Sequence, residues 1–465
     1  MPLNFVNLAG AARQAGLTAE IYDAMTKDHG YGEIEQRFRT SIPDYVASTA
    51  VTATINDAIR TLELAKSVKP DTLTILGGLH PTFMYEEVLK SSTAVDYIIC
   101  GEGEITIREL LSVLASGGDP ATVSGLAFRN GDEIVTTPKR SLMECIDDLP
   151  AAWDLLDWQD YTYFFIPGSR LGAISTSRGC NHESIFCSQS IFWEKSWRVR
   201  DPKKVIDELE YLFKAHQVNV FLITDEHPTH SRERWEAFLD LLTEKKLPVY
   251  LLMETRASDI VRDRDIIGKY RKAGIVYLSI GIDATDQSSL ETARNEMHAD
   301  MAKQALEIIH GEGIVSEASF LLGFPDETGA SVKRTFQVAQ QCNPDNANFF
   351  AFTPWPYAEM FADVAEYIRE RDYSRYNLVD PVLEPKNMSL LQMEVALADC
   401  YRKFYMGKII EVMTMRDDFK RGYMMRATKL FMGSPFIFKK MRVGMLGKIP
   451  AKMEEMKNIL KTKDK

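Results

Sequence analysis

The chain has 465 residues, of which 45% are hydrophobic, and a formal net charge of −11 at pH 7. This length and apolar content are sufficient for at least two hydrophobic cores, which predicts two or three domains. The acidic charge argues against a nucleic-acid partner, and the lack of an apolar run of about 18 residues argues against a membrane span. Because there is no signal peptide and the six cysteines are scattered, we expect a soluble protein of the reducing cytoplasm.

The first 130 residues alternate strand-like and helix-like runs. This alternation predicts a parallel, doubly wound sheet of the flavodoxin or Rossmann type. The chain opens with a helix-like run at 6–14, whereas flavodoxin-like order places the first strand inside the sheet. We therefore expect the first strand to be missing and this domain to be incomplete at its N-terminus. The predicted strands are 19–23, 45–49, 73–78 and 96–100.

Glycine-rich loops follow the last two of these strands. Ligands of doubly wound sheets bind beyond the carboxyl ends of the strands, and glycines let the backbone approach a bulky ligand closely. Taken alone this signal is weak, because any flavodoxin-like domain has such loops. The candidate residues in the loops are Gly77, Gly78, His80, Gly101 and Glu102.

Residues 131–170 are predicted to link this domain to the next one. At the start of this region, two strand-like runs flank Asn130-Gly131 between residues 125 and 137. This pattern predicts a β-hairpin with a type I′ turn.

From residue 171 to residue 360 the alternation resumes with a longer period, which predicts a partial (β/α)6 barrel. Charged side chains gather at the ends of successive strands, and this is more typical of an active site than of packing. The predicted strands are 171–177, 218–225, 249–255, 275–282, 315–322 and 347–353, and the predicted helices are 203–215, 231–245, 263–273, 299–312 and 330–341.

The loop after the first barrel strand contains Cys180, Ser184 and Cys187. Two cysteines at this spacing are commonly buried thiols, and we keep that alternative. A loop that leaves the carboxyl end of a barrel strand is, however, where α/β barrels carry their chemistry.

Residues 361–465 are predicted to form a helical, basic C-terminal region. After residue 401 there are 17 Lys and Arg residues against 6 Asp and Glu residues. This tail is also rich in Met and Phe, so it would suit an anionic membrane surface or an anionic substrate. The alternative is a solvated basic face on packing helices.

Taken together, the motifs resemble the cobalamin-binding radical S-adenosylmethionine (SAM) family, and within it the anaerobic magnesium-protoporphyrin IX monomethyl ester cyclases. The resemblance runs from about residue 3 to about residue 400. The more specific pieces are 187–202, 352–357 and 371–374, whereas the glycine-rich loops mark only the broad superfamily. The remaining motifs are 77–80, 101–104, 177–189, 224–229 and 323–328.

This resemblance implies three cofactors, which are a [4Fe-4S] cluster, SAM and cobalamin. In the family three cysteines hold the cluster, and here Cys180 and Cys187 match two of them while Ser184 stands at the third position. No D-x-H-x-x-G run supplies a histidine ligand for cobalt. The implied SAM positions are Asp225, Glu226, Ser279, Asp283, Gly323 and Pro325. Arg256 would pair either with a carboxylate of SAM or of the substrate, or with Glu254. The implied cobalamin positions are Gly77, Gly78, His80, Gly101 and Glu102.

The reaction that the resemblance implies begins with reductive cleavage of SAM to a 5′-deoxyadenosyl radical. This radical removes hydrogen from the esterified propionate of the porphyrin, and closure of the isocyclic ring of (bacterio)chlorophyll follows, with oxygen from water. The implied partners are the porphyrin, for which Trp355 and Tyr357 are candidate contacts, and a reductant protein such as ferredoxin or flavodoxin.

Ser184 keeps other functions open. A serine hydroxyl is a hard ligand that stays protonated near neutral pH, whereas cluster iron prefers thiolate. His182, in the same loop, is an alternative ligand, although a solvent-facing histidine is the simpler interpretation. The alternatives to a cyclase are a cobalamin-dependent radical SAM methyltransferase and a non-catalytic chain that binds porphyrin or a partner.

Overall fold

The computed structural model describes residues 1–181, 187–282 and 299–433. Its N-terminal part is a five-stranded sheet with the strand order β1-β2-β3-β4-β5. The first three strands are parallel, and the last two are antiparallel. The strands are β1 (Tyr45–Thr49), β2 (Leu73–Gly77), β3 (Tyr97–Ile99), β4 (Leu126–Asn130) and β5 (Glu133–Thr136), and the helices are α1 (Leu3–Gln14), α2 (Tyr31–Ser41), α3 (Ile55–Val68), α4 (Leu79–Ser91) and α5 (Gly103–Ala115).

Helices cover both faces of this sheet. Leu76 and Ile98 face one way and pack with side chains of α3 and α4. The neighbouring residues Ile75 and Ile99 face the other way and pack with α1 and α5. Alternate residues of each strand therefore enter two different cores, as expected for a doubly wound sheet.

Two details of the N-terminal prediction are wrong. Residues 19–23 do not form a strand, because Asp23 accepts a hydrogen bond from the Thr26 backbone N–H at 3.1 Å and the chain turns there. The hairpin at 125–137 is confirmed, but its turn differs from type I′. Asn130 pairs with Glu133, and Gly131, with φ of +63°, has the only positive φ in the turn, which matches type II′.

The second sheet has six parallel strands in the order β13-β12-β11-β10-β9-β6, and all six predicted strands are confirmed. A separate pair, β7 (Ser177–Gly179) and β8 (Trp197–Val199), is antiparallel. The strands of the large sheet are β6 (Leu171–Ile174), β9 (Val220–Ile223), β10 (Tyr250–Thr255), β11 (Ile275–Ile282), β12 (Val315–Leu322) and β13 (Asn346–Ala351).

Helices form a layer outside this sheet, and the predicted helix at 263–273 is confirmed from Ile267 to Lys272, whereas residues 263–266 form a turn. Trp235 and Phe238 of α8 are completely buried between the helices and the strands. The helices are α6 (Ser188–Phe192), α7 (Pro202–His216), α8 (Arg232–Lys245), α9 (Ala257–Arg262), α10 (Ile267–Lys272), α11 (Ala299–Gly311), α12 (Gly329–Cys342), α13 (Phe361–Val364), α14 (Leu390–Thr414) and α15 (Asp418–Gly433).

The C-terminal helices close the amino-terminal end of the barrel. The side chains of Tyr423 and Met424 are buried there, in one cluster with Val220, Leu252 and Val315 of the strands. Part of the basic tail is thus packed, whereas Phe436 and Phe438 lie outside the described residues. Among the residues that the structure describes, no helix is both long and apolar enough to cross a membrane.

Gly78 is required by the geometry of the loop between β2 and α4. Its φ is +101°, and a Cβ atom there would lie 2.6 Å from the carbonyl oxygen of Ala50. The loops that follow β1 and β2 can approach this closely only because residue 78 has no side chain.

We expect Gly78→Ala to lower the free energy of unfolding by at least about 2 kcal/mol, because it adds a steric overlap to a strained φ. Gly131→Ala is the matched control, since Gly131 also has a positive φ but no heavy atom lies within 4 Å of its added Cβ. Denaturant titration of both variants tests this, and equal losses of stability would contradict the steric argument.

Candidate functional site

The strand pair β7–β8 carries the first cysteine to the carboxyl end of the barrel. Gly179, with φ of +92°, has a backbone that passes so close to Ser196 that an added Cβ would lie 2.2 Å from its carbonyl oxygen. Cys180 follows directly and is 8% exposed. The backbone geometry therefore fixes where the cysteine leaves the sheet.

Asp225, at the end of β9, is buried beside this strand pair. Its carboxylate accepts hydrogen bonds from the backbone N–H of Thr176 at 2.6 Å and from the hydroxyl groups of Thr176 and Ser177 at 2.5 and 2.6 Å. Burial raises the pKa of Asp225 to about 6, against the opposing effect of these hydrogen bonds. In this structure the Asp225 carboxylate stabilises the start of the cysteine loop through these hydrogen bonds. Its contact with SAM stays a prediction.

Glu226 also accepts two hydrogen bonds from residues near the cysteine loop. One carboxylate oxygen accepts the Gly179 N–H at 2.9 Å, and the other accepts the Trp193 indole N–H at 2.7 Å. Its predicted contact with SAM is likewise untested. The two carboxylates after β9 thus hold the segment that leads into Cys180, at the backbone N–H of Thr176 and at that of Gly179.

The side chains of Arg256 and His227 contact the side chain of Cys180. The Nη2 atom of Arg256 is 3.7 Å from the sulfur, and the imidazole of His227 is also in contact with it. Asp259 accepts a hydrogen bond from His227 Nε2 at 2.7 Å and from the Thr229 hydroxyl at 2.5 Å. Burial lowers the pKa of His227, but its hydrogen bonds to Asp259 and Cys180 and the charge of Asp259 outweigh burial, so the pKa is raised.

A buried ion cluster, which consists of Glu102, Glu104, Arg178 and Arg198, joins the N-terminal sheet to the cysteine loop. Arg178 lies 3.0 Å from Glu102 and 2.6 Å from Glu104, and Arg198 lies 2.8 Å from Glu102. The Glu102 side chain is only 4% exposed. Burial acts to raise its pKa, but the Arg198 hydrogen bond, the Met143 N–H and the two positive charges outweigh burial and lower the pKa. Glu102 therefore acts here as an ion-pair partner, and its predicted contact with cobalamin stays untested.

His80, in the first turn of α4 directly after β2, is 1% exposed at the edge predicted to hold cobalamin. Its Nδ1 lies 3.1 Å from the Thr52 hydroxyl, which in turn lies 3.1 Å from the hydroxyl of Tyr357. Burial lowers the pKa of His80 to about 4, so the imidazole is neutral. Gly77 ends β2, and Gly78 and Gly101 lie in the loops of the same edge.

Tyr357, which follows β13, reaches across to the N-terminal part. Its ring stacks on Phe83 of α4, with centroids 4.9 Å apart, and Phe83 in turn contacts Phe192 edge to face. Trp355 is half-buried nearby in sequence. An aromatic wall, which consists of Phe83, Phe192 and Tyr357, therefore lies where the two sheets meet.

Two carboxylates face the space enclosed by the barrel strands, in the same row as Ser279. Glu254, Ser279 and Glu317 are in register on β10, β11 and β12, and Ser279 donates to Glu317 at 3.4 Å. Desolvation by the surrounding strands raises the pKa of both glutamates, although Glu254 remains exposed to solvent, and the charge of Glu254 adds to the effect on Glu317. Sequence reasoning missed Glu317, although a glutamate in an otherwise apolar strand was a usable signal.

The loop after β12 contains the last two predicted SAM positions. Gly323, with φ of +95°, donates its N–H to Glu327 at 2.8 Å, and the carbonyl of Pro325 accepts the Lys386 N–H at 2.8 Å. Ser184, His182 and Asp283 lie outside the described residues. Within the described part of the chain, no three His, Cys, Asp or Glu side chains converge on a single metal ion.

Two family models match the chain. A B12 binding domain matches residues 1–111, and the Radical SAM superfamily matches residues 174–339. These matched segments contain the N-terminal sheet edge with His80 and the barrel ends around Cys180.

The chain is also similar to curated proteins and to solved structures. It is 36% identical to the anaerobic magnesium-protoporphyrin IX monomethyl ester cyclase of Rubrivivax gelatinosus, over 95% of this chain and 80% of the relative. It is 24% identical to the bacteriochlorophyllide d C-8(2)-methyltransferase of Chlorobaculum tepidum, over 78% and 79% of the two chains. The cobalamin-dependent SAM radical enzyme OxsB, solved with aqua-cobalamin and SAM bound, shares the fold with a TM-score of 0.70 at 13% identity, over 100% of this chain and 73% of that chain.

We expect Glu102→Gln to lower the free energy of unfolding by about 3 kcal/mol, because Arg198 would lose its buried carboxylate. The control is Glu86→Gln, which breaks the Glu86–Lys90 pair with side chains 60% and 67% exposed and should change stability little. Denaturant titration of both variants measures this, and a Glu102→Gln variant as stable as the control would show that the ion cluster does not hold the loop.

His80 should make stability depend on pH. The pKa of His80 is about 4 in the folded chain, below the ordinary value of 6.5. The contribution of neutral His80 to the free energy of unfolding is therefore fully present above pH 6.5 and is lost as the pH falls toward 4. His80→Gln should remove roughly 2 to 3 kcal/mol of this pH-dependent change. Unfolding free energies of the wild type, of this variant and of the exposed control His29→Gln, measured at pH 4 and pH 7, test it; an unchanged pH dependence in His80→Gln contradicts it.

Proposed function

Because the chain belongs to the cobalamin-binding radical SAM family, together with the anaerobic magnesium-protoporphyrin IX monomethyl ester cyclases, we propose that it closes the isocyclic ring of (bacterio)chlorophyll without oxygen. The proposed substrate is magnesium-protoporphyrin IX monomethyl ester, and the proposed product is a protochlorophyllide. The observation that carries this proposal is the similarity to a cyclase along 95% of the chain.

The proposed cofactors are a [4Fe-4S] cluster, SAM and cobalamin, which when bound would supply the radical chemistry that side chains lack. Cys180 and Cys187 would hold the cluster, and the edge with Gly78 and His80 would hold cobalamin. The ion cluster supports this arrangement, because Arg178 and Glu102 join the loop of one cofactor to the loop of the other at 3.0 Å.

The aromatic wall suits a flat, largely apolar substrate. Phe83 and Tyr357 present stacked rings whose planes are inclined by only 26° at the junction of the two sheets. Arg256, beside Cys180, supplies a positive charge for a carboxylate of SAM or of the porphyrin.

A second candidate function is methyl transfer to a tetrapyrrole. The similarity to the bacteriochlorophyllide d methyltransferase favours it, since that relative is matched over 79% of its length. The third candidate, a non-catalytic porphyrin-binding chain, rests on Ser184 alone.

We expect the anaerobically reconstituted chain, given SAM, cobalamin, a reductant and the porphyrin ester, to form 5′-deoxyadenosine and a product with the mass and absorbance of a protochlorophyllide. A Ser184→Cys variant tested in parallel separates a defect at this position from a wrong assignment. SAM labelled in its methyl group distinguishes the alternatives, because label in the product would identify a methyltransferase. Porphyrin binding without SAM cleavage in both proteins would indicate the non-catalytic chain.

Tyr357→Leu provides the internal test of the substrate site. It should raise the KM for the porphyrin several-fold while leaving substrate-independent formation of 5′-deoxyadenosine unchanged, because the ring is assigned to the substrate and not to SAM. Tyr211→Leu, at a 49% exposed residue of α7, is the control. An unchanged KM in Tyr357→Leu would remove the aromatic wall from the substrate site.

A further inference from the structure

His227 combines three features that ordinary buried histidines do not share. It is 6% exposed, its ring is hydrogen-bonded to the side chain of Cys180, and apart from that contact its Nδ1 has no hydrogen-bond partner among the described residues. A thiol is only a weak hydrogen-bond donor, so a buried ring nitrogen whose one neighbour is a thiol calls for an explanation. The imidazole lies at the end of β9, at the mouth of the barrel.

The tautomer of this imidazole follows from its other nitrogen. Nε2 lies 2.7 Å from a carboxylate oxygen of Asp259, which can only accept, so Nε2 carries the proton. The Thr229 hydroxyl donates to the same oxygen and holds the carboxylate in place. Nδ1 therefore presents a lone pair toward Cys180.

This is the arrangement of a metal-binding histidine. Histidine ligands typically donate their second ring N–H to a carboxylate, which fixes the ring and makes the ligating nitrogen more basic. Imidazole also replaces thiolate on iron in the Rieske clusters, so histidine is a competent cluster ligand. Asp259 and Thr229 already provide the support that such a ligand needs.

The cysteine loop leaves one ligand position without a thiolate, because Ser184 stands there and serine is a poor ligand for cluster iron. We propose that His227 is the third protein ligand, so that the cluster of this chain is held by Cys180, Cys187 and the Nδ1 atom of His227. This assignment rests on the cluster of the proposed function, but it does not depend on the reaction that the cluster serves.

The test is pulsed electron paramagnetic resonance of the reduced, reconstituted protein without SAM, with natural and 15N-labelled histidine. We expect a hyperfine signal from a nitrogen that is bound directly to iron. This signal should change when the histidine carries 15N, and it should be absent in His227→Gln. In that variant, resistance of the bound iron to a chelator should fall by roughly 10-fold or more. His230→Gln is the matched control, because His230 lies next to His227, with ring centroids 5.0 Å apart, and should leave both readouts unchanged.

The double variant His227→Gln/Ser184→Cys keeps the test decisive. It should bind the cluster again, without a nitrogen signal, which would show that the fold survives the loss of His227. A wild-type cluster without a histidine nitrogen signal, or an iron content unaffected by His227→Gln, overturns the proposal. If only proteins with Ser184→Cys bind a cluster, the His227 proposal fails while the cyclase assignment of the family remains testable in that variant.

Discussion

The buried ion cluster of Glu102, Glu104, Arg178 and Arg198 is the contact on which the geometry of the site depends. It joins the loop after β3 to the strand pair that delivers Cys180. Buried ion pairs contribute little net stability, because desolvation offsets the attraction, but losing one partner leaves a charge uncompensated. The cluster therefore acts mainly by fixing one orientation of the two sheets, which also meet through the aromatic wall and through the contact of Thr52 with the hydroxyl of Tyr357 at 3.1 Å. Trp193 reinforces this orientation, since its ring lies 5.9 Å from the guanidinium of Arg178 and 5.4 Å from that of Arg198.

Carboxylates within and just after the barrel strands have two different roles. Asp225 and Glu226 accept hydrogen bonds from the backbone and side chains of the cysteine loop, so they stabilise its path. Glu254 and Glu317 instead face the enclosed space, where desolvation by the surrounding strands raises their pKa values. The position of a carboxylate at a strand end thus does not by itself identify a ligand contact.

Much of the fold could be predicted from the sequence, because the local signals agree with the final packing. All six strands of the large sheet have apolar runs that end in polar loops, and the structure places them where the runs predict. Residues 19–23 show the limit, since a short apolar run forms a strand only if a partner strand lies beside it. At the site, Cys180 and its loop could be found from sequence, whereas Glu317 and the contact of Arg256 with Cys180 depend on which strands are neighbours.

The same reasoning applies to the exchange at position 184. A cysteine motif is recognised along a single loop, but a metal site is assembled from every loop at the same end of the barrel. The loops after β6 and β9 are neighbours there, because those two strands pair in register from Leu171 with Val220 to Ile174 with Ile223. The side chain of His227, two residues beyond Asp225, therefore reaches Cys180. Replacing a cysteine in one loop does not lower the number of cluster ligands if the neighbouring loop supplies a histidine nitrogen. In our proposal this ligand is Nδ1 of His227, whose ring is held by the hydrogen bond from Nε2 to Asp259.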